Sequence, residues 1–354
     1  MVLGVAMIPH NRPYITAEDR AAIDKALASG WLAQGAQVES LEASFSKYYH
    51  GGCSAAVSSG TAALYMALKA LEIGAGAKVA IPTYACSALL NAIYMAGATP
   101  RIVDVLPDSF CLNPNALKTQ ASDATCVIAV HTYGAEADIQ SLKTSANVVI
   151  EDCCHSLGGR GQAGLLGQVG DAAIFSFYAT KVVTGGQGGL VWSRNPVVAE
   201  RVRDYRDFDC REYYDPRFNF QMTDHQAALI NSQMLRLNSI RARRFEIADT
   251  YRSALPAGFV VQAGLADEGR MIYRFVAVAP DVMTREALNV YLKEVGVGCA
   301  VPIERYELLH RYLQLDPAKF PVAEELADRT LSLPIHVGLT DDEVAQVADA
   351  LSRF

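Results

Sequence analysis

The sequence predicts an α/β protein in which a mostly parallel sheet lies between helices and a smaller C-terminal α/β domain follows. Three observations carry this. From about residue 52 to 195, short apolar segments alternate with stretches of helical period, the pattern of repeated β-α-β units. From Thr223 the pattern changes to one long helical stretch, with shorter elements beyond it. Polar residues collect just after the apolar segments, where open parallel sheets bind their ligands.

In chain order, strands are expected at 54–57, 78–81, 101–105, 126–130, 148–152, 172–176 and 189–192, with helices at 61–71 and 87–96 between the early ones. The stretch 223–255 reads as a helix carrying Ala227, Ile230, Met234, Leu237 and Ile240, and it leads the chain out of the large domain. Strands at 259–262 and 273–278 and helices at 285–294 and 341–352 are enough for a second domain. The length of 354 residues exceeds the roughly 100–200 of one domain. The expected division is an N-terminal arm and large domain over 1–235, then a linking helix and small domain over 236–354.

The net charge of −7 gives no general attraction to nucleic acid or to an anionic membrane. No apolar run approaches the ~20 residues of a membrane-crossing helix. Residues 1–8 are apolar but few, lack a basic start and meet His10-Asn11-Arg12-Pro13, so they do not read as a signal peptide. Eight cysteines are scattered without a repeated spacing, and Cys153-Cys154 is a poor pair for a zinc site or a structural disulfide. A reduced, cytoplasmic protein with no metal site is the expectation.

Lys181 ends the run Phe175-Ser176-Phe177-Tyr178-Ala179-Thr180-Lys181 and precedes Gly185-Gly186-Gln187-Gly188-Gly189. Desolvated among such bulky residues, a lysine becomes a nucleophile and proton carrier; in an open loop it is only a surface lysine. Asp152 follows an apolar strand and, if buried, needs a cationic partner; otherwise it is a solvated loop acid. Glu151 alternates to the other face. In Ser58-Ser59-Gly60-Thr61 a strand turns into a helix whose first N–H groups attract an anion. The same residues also read as an ordinary cap. Ser176 could hydrogen-bond a phosphate or a ring oxygen. His155 could stack over a ring or simply pack, His131 reads as a satisfied loop histidine, and Asn219 as a turn residue. A lysine, a strand-end aspartate and a Gly-rich segment are the parts that hold pyridoxal phosphate: one forms the Schiff base, one pairs with the pyridine nitrogen, and one admits the ring.

Together these stretches resemble the DegT/DnrJ/EryC1/StrS family, pyridoxal-phosphate sugar aminotransferases of fold type I. The likeness runs over nearly the whole chain, in order. It comprises Ser29-Gly30-Trp31-Leu32 with Gly35, Ser59-Gly60-Thr61-Ala62-Ala63-Leu64, Ala96-Gly97-Ala98-Thr99-Pro100, Val103-Asp104 and Val130-His131-Thr132-Tyr133-Gly134. Ile150-Glu151-Asp152, the run to Lys181, Gly188-Gly189 and Leu331-Ser332-Leu333-Pro334-Ile335 complete it.

The resemblance implies a Schiff-base lysine at Lys181, a pyridine partner in Asp152, phosphate contacts from Gly60, Thr61 and Ser176, and His155 beside the ring. It implies that Asn219 reaches the phosphate of a neighbouring subunit, and so a homodimer with shared active sites. Tyr306 and His310 resemble residues near a substrate entrance, and the segment 203–217 is where variation facing substrate is expected. Two positions depart from the family. An aromatic that usually stacks on the ring is replaced by Cys86, with Tyr84 two residues away, and Asn219-Phe220-Gln221-Met222 has glutamine where arginine is common. The implied reaction moves an amino group from an amino acid, L-glutamate in the first instance, to a nucleotide-linked keto sugar. Another fold type I reaction and a non-catalytic regulator are the alternatives; the family's dehydratases, which have histidine for the lysine, are disfavoured by Lys181.

Overall fold

The computed structural model describes residues 7–354, so most of the apolar run 1–8 lies outside the described residues. Nine strands occupy the first half of the chain. They are β1 (Cys53–Val57), β2 (Lys78–Pro82), β3 (Thr99–Val103), β4 (Cys126–Val130), β5 (Val148–Asp152), a short β6–β7 hairpin (Arg160–Gly161 and Gly164–Leu165), β8 (Ala172–Ser176) and β9 (Gly189–Ser193). Seven of them form one sheet in the order β1-β9-β8-β5-β4-β2-β3. Only β9 runs antiparallel to its neighbours.

Alternation along these strands sends side chains into two cores. Cys126, Ile128 and Val130 of β4 pack with the helices Gly60–Ala70 and Ala88–Met95, while Val127 and Ala129 point to the opposite layer. The same rule separates the two acids that end β5. Ile150 shares the first core and Val149 the second, so Asp152 faces the helix Gly60–Ala70 and Glu151 faces away. On β8 and beyond, Phe175 and Phe177 are fully buried against the helix Ala36–Tyr48, which leaves Ser176 on the other face. Burying such a phenylalanine is worth about 1.5–3 kcal/mol, so this register is strongly fixed.

The small domain holds the antiparallel sheet β10 (Val260–Val261), β11 (Phe275–Val278) and β12 (Thr330–Leu333), with the helices Val282–Glu294 and Asp341–Arg353. The expected single helix over 223–255 is instead two, Asp224–Met234 and Leu237–Ala254. At the break, Arg236 turns its side chain to Asp19 at 2.7 Å and Leu235 stands in solvent. The second helix bridges the domains. Leu237 and Ile240 lie in the large-domain core, while Ile247, Ala248 and Tyr251 lie in the small-domain core. Ile8 also enters that second core, bridged to Val297, so the N-terminal arm is tied to the small domain. No described helix is long and apolar enough to cross a membrane.

Candidate active site

A cavity of about 430 Å³ lies over the carboxyl ends of β1, β2, β4, β5 and β8. Gly60, Thr61, Tyr84, Cys86, Asp152, His155, Ser176 and Lys181 all line it. They come from four chain segments, those at the carboxyl ends of β1, β2, β5 and β8, brought together because parallel strands end on one side of a sheet.

The helix Gly60–Ala70 points its N-terminus at this cavity. Ser59 caps it by accepting the Ala62 N–H at 3.1 Å, while Gly60 and Thr61 supply first-turn N–H groups that the helix itself cannot pair. Gly60 is needed for space: a Cβ there would stand 2.8 Å from Ser176 Cβ and 3.0 Å from its hydroxyl. This close approach makes one small polar cradle of Gly60, Thr61 and Ser176, at the positive end of a helix dipole.

Asp152 is buried, and one carboxylate oxygen accepts the Cys154 N–H at 2.9 Å. The other has no protein partner among the described residues. His155 stacks on Tyr273, with ring centroids 4.2 Å apart and planes 8° apart, and Tyr133 lies 5.5 Å away. Burial, with Lys181 and Arg274 nearby, holds its pKa well below the usual value, so the ring is neutral. Its Nδ1 is buried without a partner. Lys181 Nζ lies 4.9 Å from the Tyr273 ring centroid. Burial pushes the Tyr273 phenol up, but Lys181 and Arg274 more than offset this and leave it below its ordinary pKa. Asn11 donates to the Thr180 carbonyl at 3.2 Å, so the N-terminal arm braces the lysine loop.

The chain bends at Thr83–Ala85, after β2, and is neither extended nor helical there. Tyr84 and Cys86 therefore both border the cavity but differ in surroundings. Tyr84 is fully buried, edge-on to Phe110 and Tyr133, and its hydroxyl meets Thr330 Oγ1 at 3.1 Å. Burial pushes its pKa up to about 12. Cys86 is exposed on the open side with Tyr178 and Tyr312.

Three expected site residues fall outside this cavity. His310 is fully buried; Thr83 Oγ1 sits 2.7 Å from Nδ1, Glu324 lies 2.8 Å from Nε2, and the ring stacks on Phe320. Both nitrogens are engaged, so it is a core histidine and the expected substrate contact is corrected. Tyr306 is 69% exposed and also does not line the cavity; its neighbours Glu307 and Tyr312 do. Asn219 is exposed, and no residue of 203–217 lines the cavity either. Residues not singled out from sequence include Tyr273 and Arg274, delivered by the small domain. Their signal was an aromatic and a cation opening an apolar strand.

Pyridoxal phosphate fits these groups. The cradle at Gly60 suits its phosphate, the free oxygen of Asp152 suits a protonated ring nitrogen, and Lys181 carries the amine that could hold it covalently. The unpartnered His155 Nδ1 gives the ring's substituents a hydrogen-bonding neighbour.

The chain matches the DegT/DnrJ/EryC1/StrS aminotransferase family over residues 13–352. It is 30% identical to the spore coat polysaccharide biosynthesis protein SpsC of Bacillus subtilis (strain 168), over 97% of this chain and 96% of that protein. A Streptococcus pneumoniae protein, Spr1654, described as a sugar aminotransferase and solved in a PLP form, superposes with a TM-score of 0.90 at 25% identity over 98% of each chain. DesV of S. venezuelae superposes with a TM-score of 0.88 at 28% identity, again over 98% of each chain.

Proposed function

The chain belongs to the DegT/DnrJ/EryC1/StrS aminotransferase family and is a pyridoxal-phosphate-dependent transaminase; we propose that it moves an amino group from L-glutamate to a keto sugar carried by a nucleotide. The observation that carries this reading is the convergence of the Lys181 amine, the open Asp152 carboxylate and the Gly60–Thr61 helix N-terminus on one cavity. The likeness, over nearly the full length of each chain, to a protein named for spore coat polysaccharide biosynthesis and to a structure described as a sugar aminotransferase supports the sugar as acceptor.

In this reading Gly60, Thr61 and Ser176 bind the phosphate, Asp152 holds a proton on the pyridine nitrogen, and Lys181 binds the cofactor. When bound, pyridoxal phosphate supplies the electron sink that stabilises a carbanion. Lys181 Nζ takes a proton from the donor's α-carbon and later delivers one to the sugar carbon. His155, Tyr84 and Cys86 border the ring. The cavity extends past these groups to a mouth with the exposed Tyr178 and Tyr312, whose faces suit a sugar ring and the nucleotide beyond it.

The active form proposed is a homodimer in which Asn219 of the partner subunit contacts the cofactor phosphate. The exposed Trp31, Leu32, Tyr213, Tyr214 and Phe218 support a covered surface here, and Leu32 touches the start of the helix Asp224–Met234 through a 3.2 Å backbone bond. A cytoplasmic location agrees with eight cysteines that are all free.

The test is a panel of nucleotide keto sugars supplied with glutamate, the aminated product being identified by mass. The yellow absorbance of lysine-bound cofactor should vanish in Lys181→Ala together with turnover. Purified protein that fails to develop this absorbance with cofactor added would remove the assignment of Lys181, and amination of amino-acid ketones alone would remove the sugar.

A further inference from the structure

The arginines near the site divide by what they hold. Arg244 gives Nη1 to the carbonyls of Ile272, Tyr273 and Ile335, and Arg270 reaches the carbonyls of Ala263 and Tyr133. Both are structural cations, Arg244 held by backbone carbonyls alone and Arg270 also by the Gln262 side-chain oxygen. Arg274 is different. It lines the active-site cavity, and among the described residues no carboxylate and no carbonyl pairs with it. Its Nη1 approaches only His10 Nε2 and Ser332 Oγ, each at 3.4 Å, and no described residue accepts from Nη2 or Nε.

The surroundings keep it in place without neutralising it. Its Cζ lies 5.7 Å from the Tyr273 ring centroid and 5.8 Å from that of Tyr133. His10 behind it is neutral, since burial first and then Arg274 itself hold its pKa down at about 4. A guanidinium that rests on aromatic faces and keeps one edge of its fork free is preorganised for a carboxylate. The same Tyr273 ring has Lys181 Nζ 4.9 Å from its centroid. A substrate with its nitrogen at Lys181 therefore needs to carry its carboxylate only across one phenol ring to reach Arg274. Asp152 makes no ion pair or hydrogen bond with Arg274; its one protein bond is from the Cys154 N–H.

We propose that Arg274 binds a carboxylate of the amino-acid donor, a specificity role resting on the transaminase reading above. The donor is small and enters the inner part of the cavity. A nucleotide's phosphates follow the sugar outward, to the mouth marked by Cys86, Tyr178 and Tyr312. Because Arg274 sits just ahead of β11 in the small domain and Lys181 in the large one, a bound donor spans the two.

The experiment uses the cofactor-loaded enzyme and glutarate, a dicarboxylate with no amine, titrated calorimetrically into wild type, Arg274→Gln and Arg274→Lys. Loss of a charge-assisted hydrogen bond predicts that Arg274→Gln weakens glutarate binding and raises the KM for glutamate by about ten- to hundredfold. Arg274→Lys, which keeps the charge but not the fork, should fall between. The KM for the sugar and the lysine-bound absorbance should stay as in wild type. Glutarate that binds Arg274→Gln as tightly as wild type, or does not bind wild type, overturns the proposal; so does a loss that falls on the sugar. Failure of the functional reading looks different, since wild type itself would then lack the absorbance while glutarate binding could still be compared.

Discussion

Glu151 and Asp152 are consecutive residues at the end of β5, both nearly inaccessible to solvent, yet they face opposite sides of the sheet and live in opposite circumstances. Glu151 is saturated. Its carboxylate takes the N–H groups of Gly167 at 2.8 Å, Val169 at 2.7 Å and Gly170 at 2.5 Å, and His131 Nε2 at 2.9 Å. The Ala137 N–H donates to His131 Nδ1, so Nε2 must carry the hydrogen that Glu151 accepts. Asp152 has one backbone donor and an open oxygen at a cavity wall. Burial is thus common to both, and saturation tells them apart. A buried acid with all its bonds made holds a loop together, whereas one with a bond left over is poised for a ligand.

Removing each acid should break different properties. The largest effect expected is on stability, from Glu151→Ala, which strips the 167–170 loop of its acceptor and leaves His131 and three N–H groups buried and unpaired. A loss of about 3–5 kcal/mol is expected by denaturant titration. The folded fraction should bind cofactor as before. Next comes Asp152→Asn, which keeps the shape but cannot hold a proton on the ring nitrogen. Turnover should fall about a hundred- to thousandfold, with the stability of the cofactor-free protein unchanged. Equal loss of stability in the two variants would erase the contrast between the faces.

That contrast was partly legible in the sequence. The parallel strands could be read because strands buried on both faces are apolar runs, and period-two alternation then assigned Asp152 and Glu151 to opposite sides. The cluster of Lys181, Ser176, Gly60 and Thr61 followed from the rule that such sheets bind at strand ends. What could not be read depends on contacts distant in sequence. The helix break at Leu235 has no Gly or Pro to mark it, and only the pairing of Arg236 with Asp19 explains it. β12 is four residues with the buried polar Ser332 inside it, too short for its period to stand out. His310 resembled an entrance residue, but partners at Thr83 and Glu324 take its ring into the core. Arg274 reaches the cavity because the segment ahead of β11 docks on the loops after β4 and β5, where the Tyr273 N–H meets the Tyr133 carbonyl and its ring stacks on His155.

The smallest expected effect separates the two faces by pH. Glu151 has burial pushing its pKa up, but the hydrogen bond and charge of His131 and the loop N–H groups hold it below the ordinary 4.5. Its stabilisation is therefore complete above about pH 4.5 and is lost as pH falls toward the lower folded-state value. His155, on the cavity side, is shifted in the same direction but acts over a higher pH range. Its folded pKa lies well below the ordinary 6.5, so as pH drops through 6.5 the unfolded chain gains a proton that the folded chain refuses. Stability then falls with falling pH, by up to about 1.4 kcal/mol per unit for one such histidine. Between pH 6.5 and 5 the decline thus belongs to histidines and not to Glu151. His10, His310 and His336, whose pKa values are also lowered mainly by burial, contribute to it as well. His155→Gln in the cofactor-free protein should flatten this part of the stability curve without abolishing it, and leave the steeper loss below pH 4.5 in place. A wild-type slope in that variant would mean that the stacked imidazole is protonated in the folded state, and the neutral neighbour assigned to the ring would have to be given up.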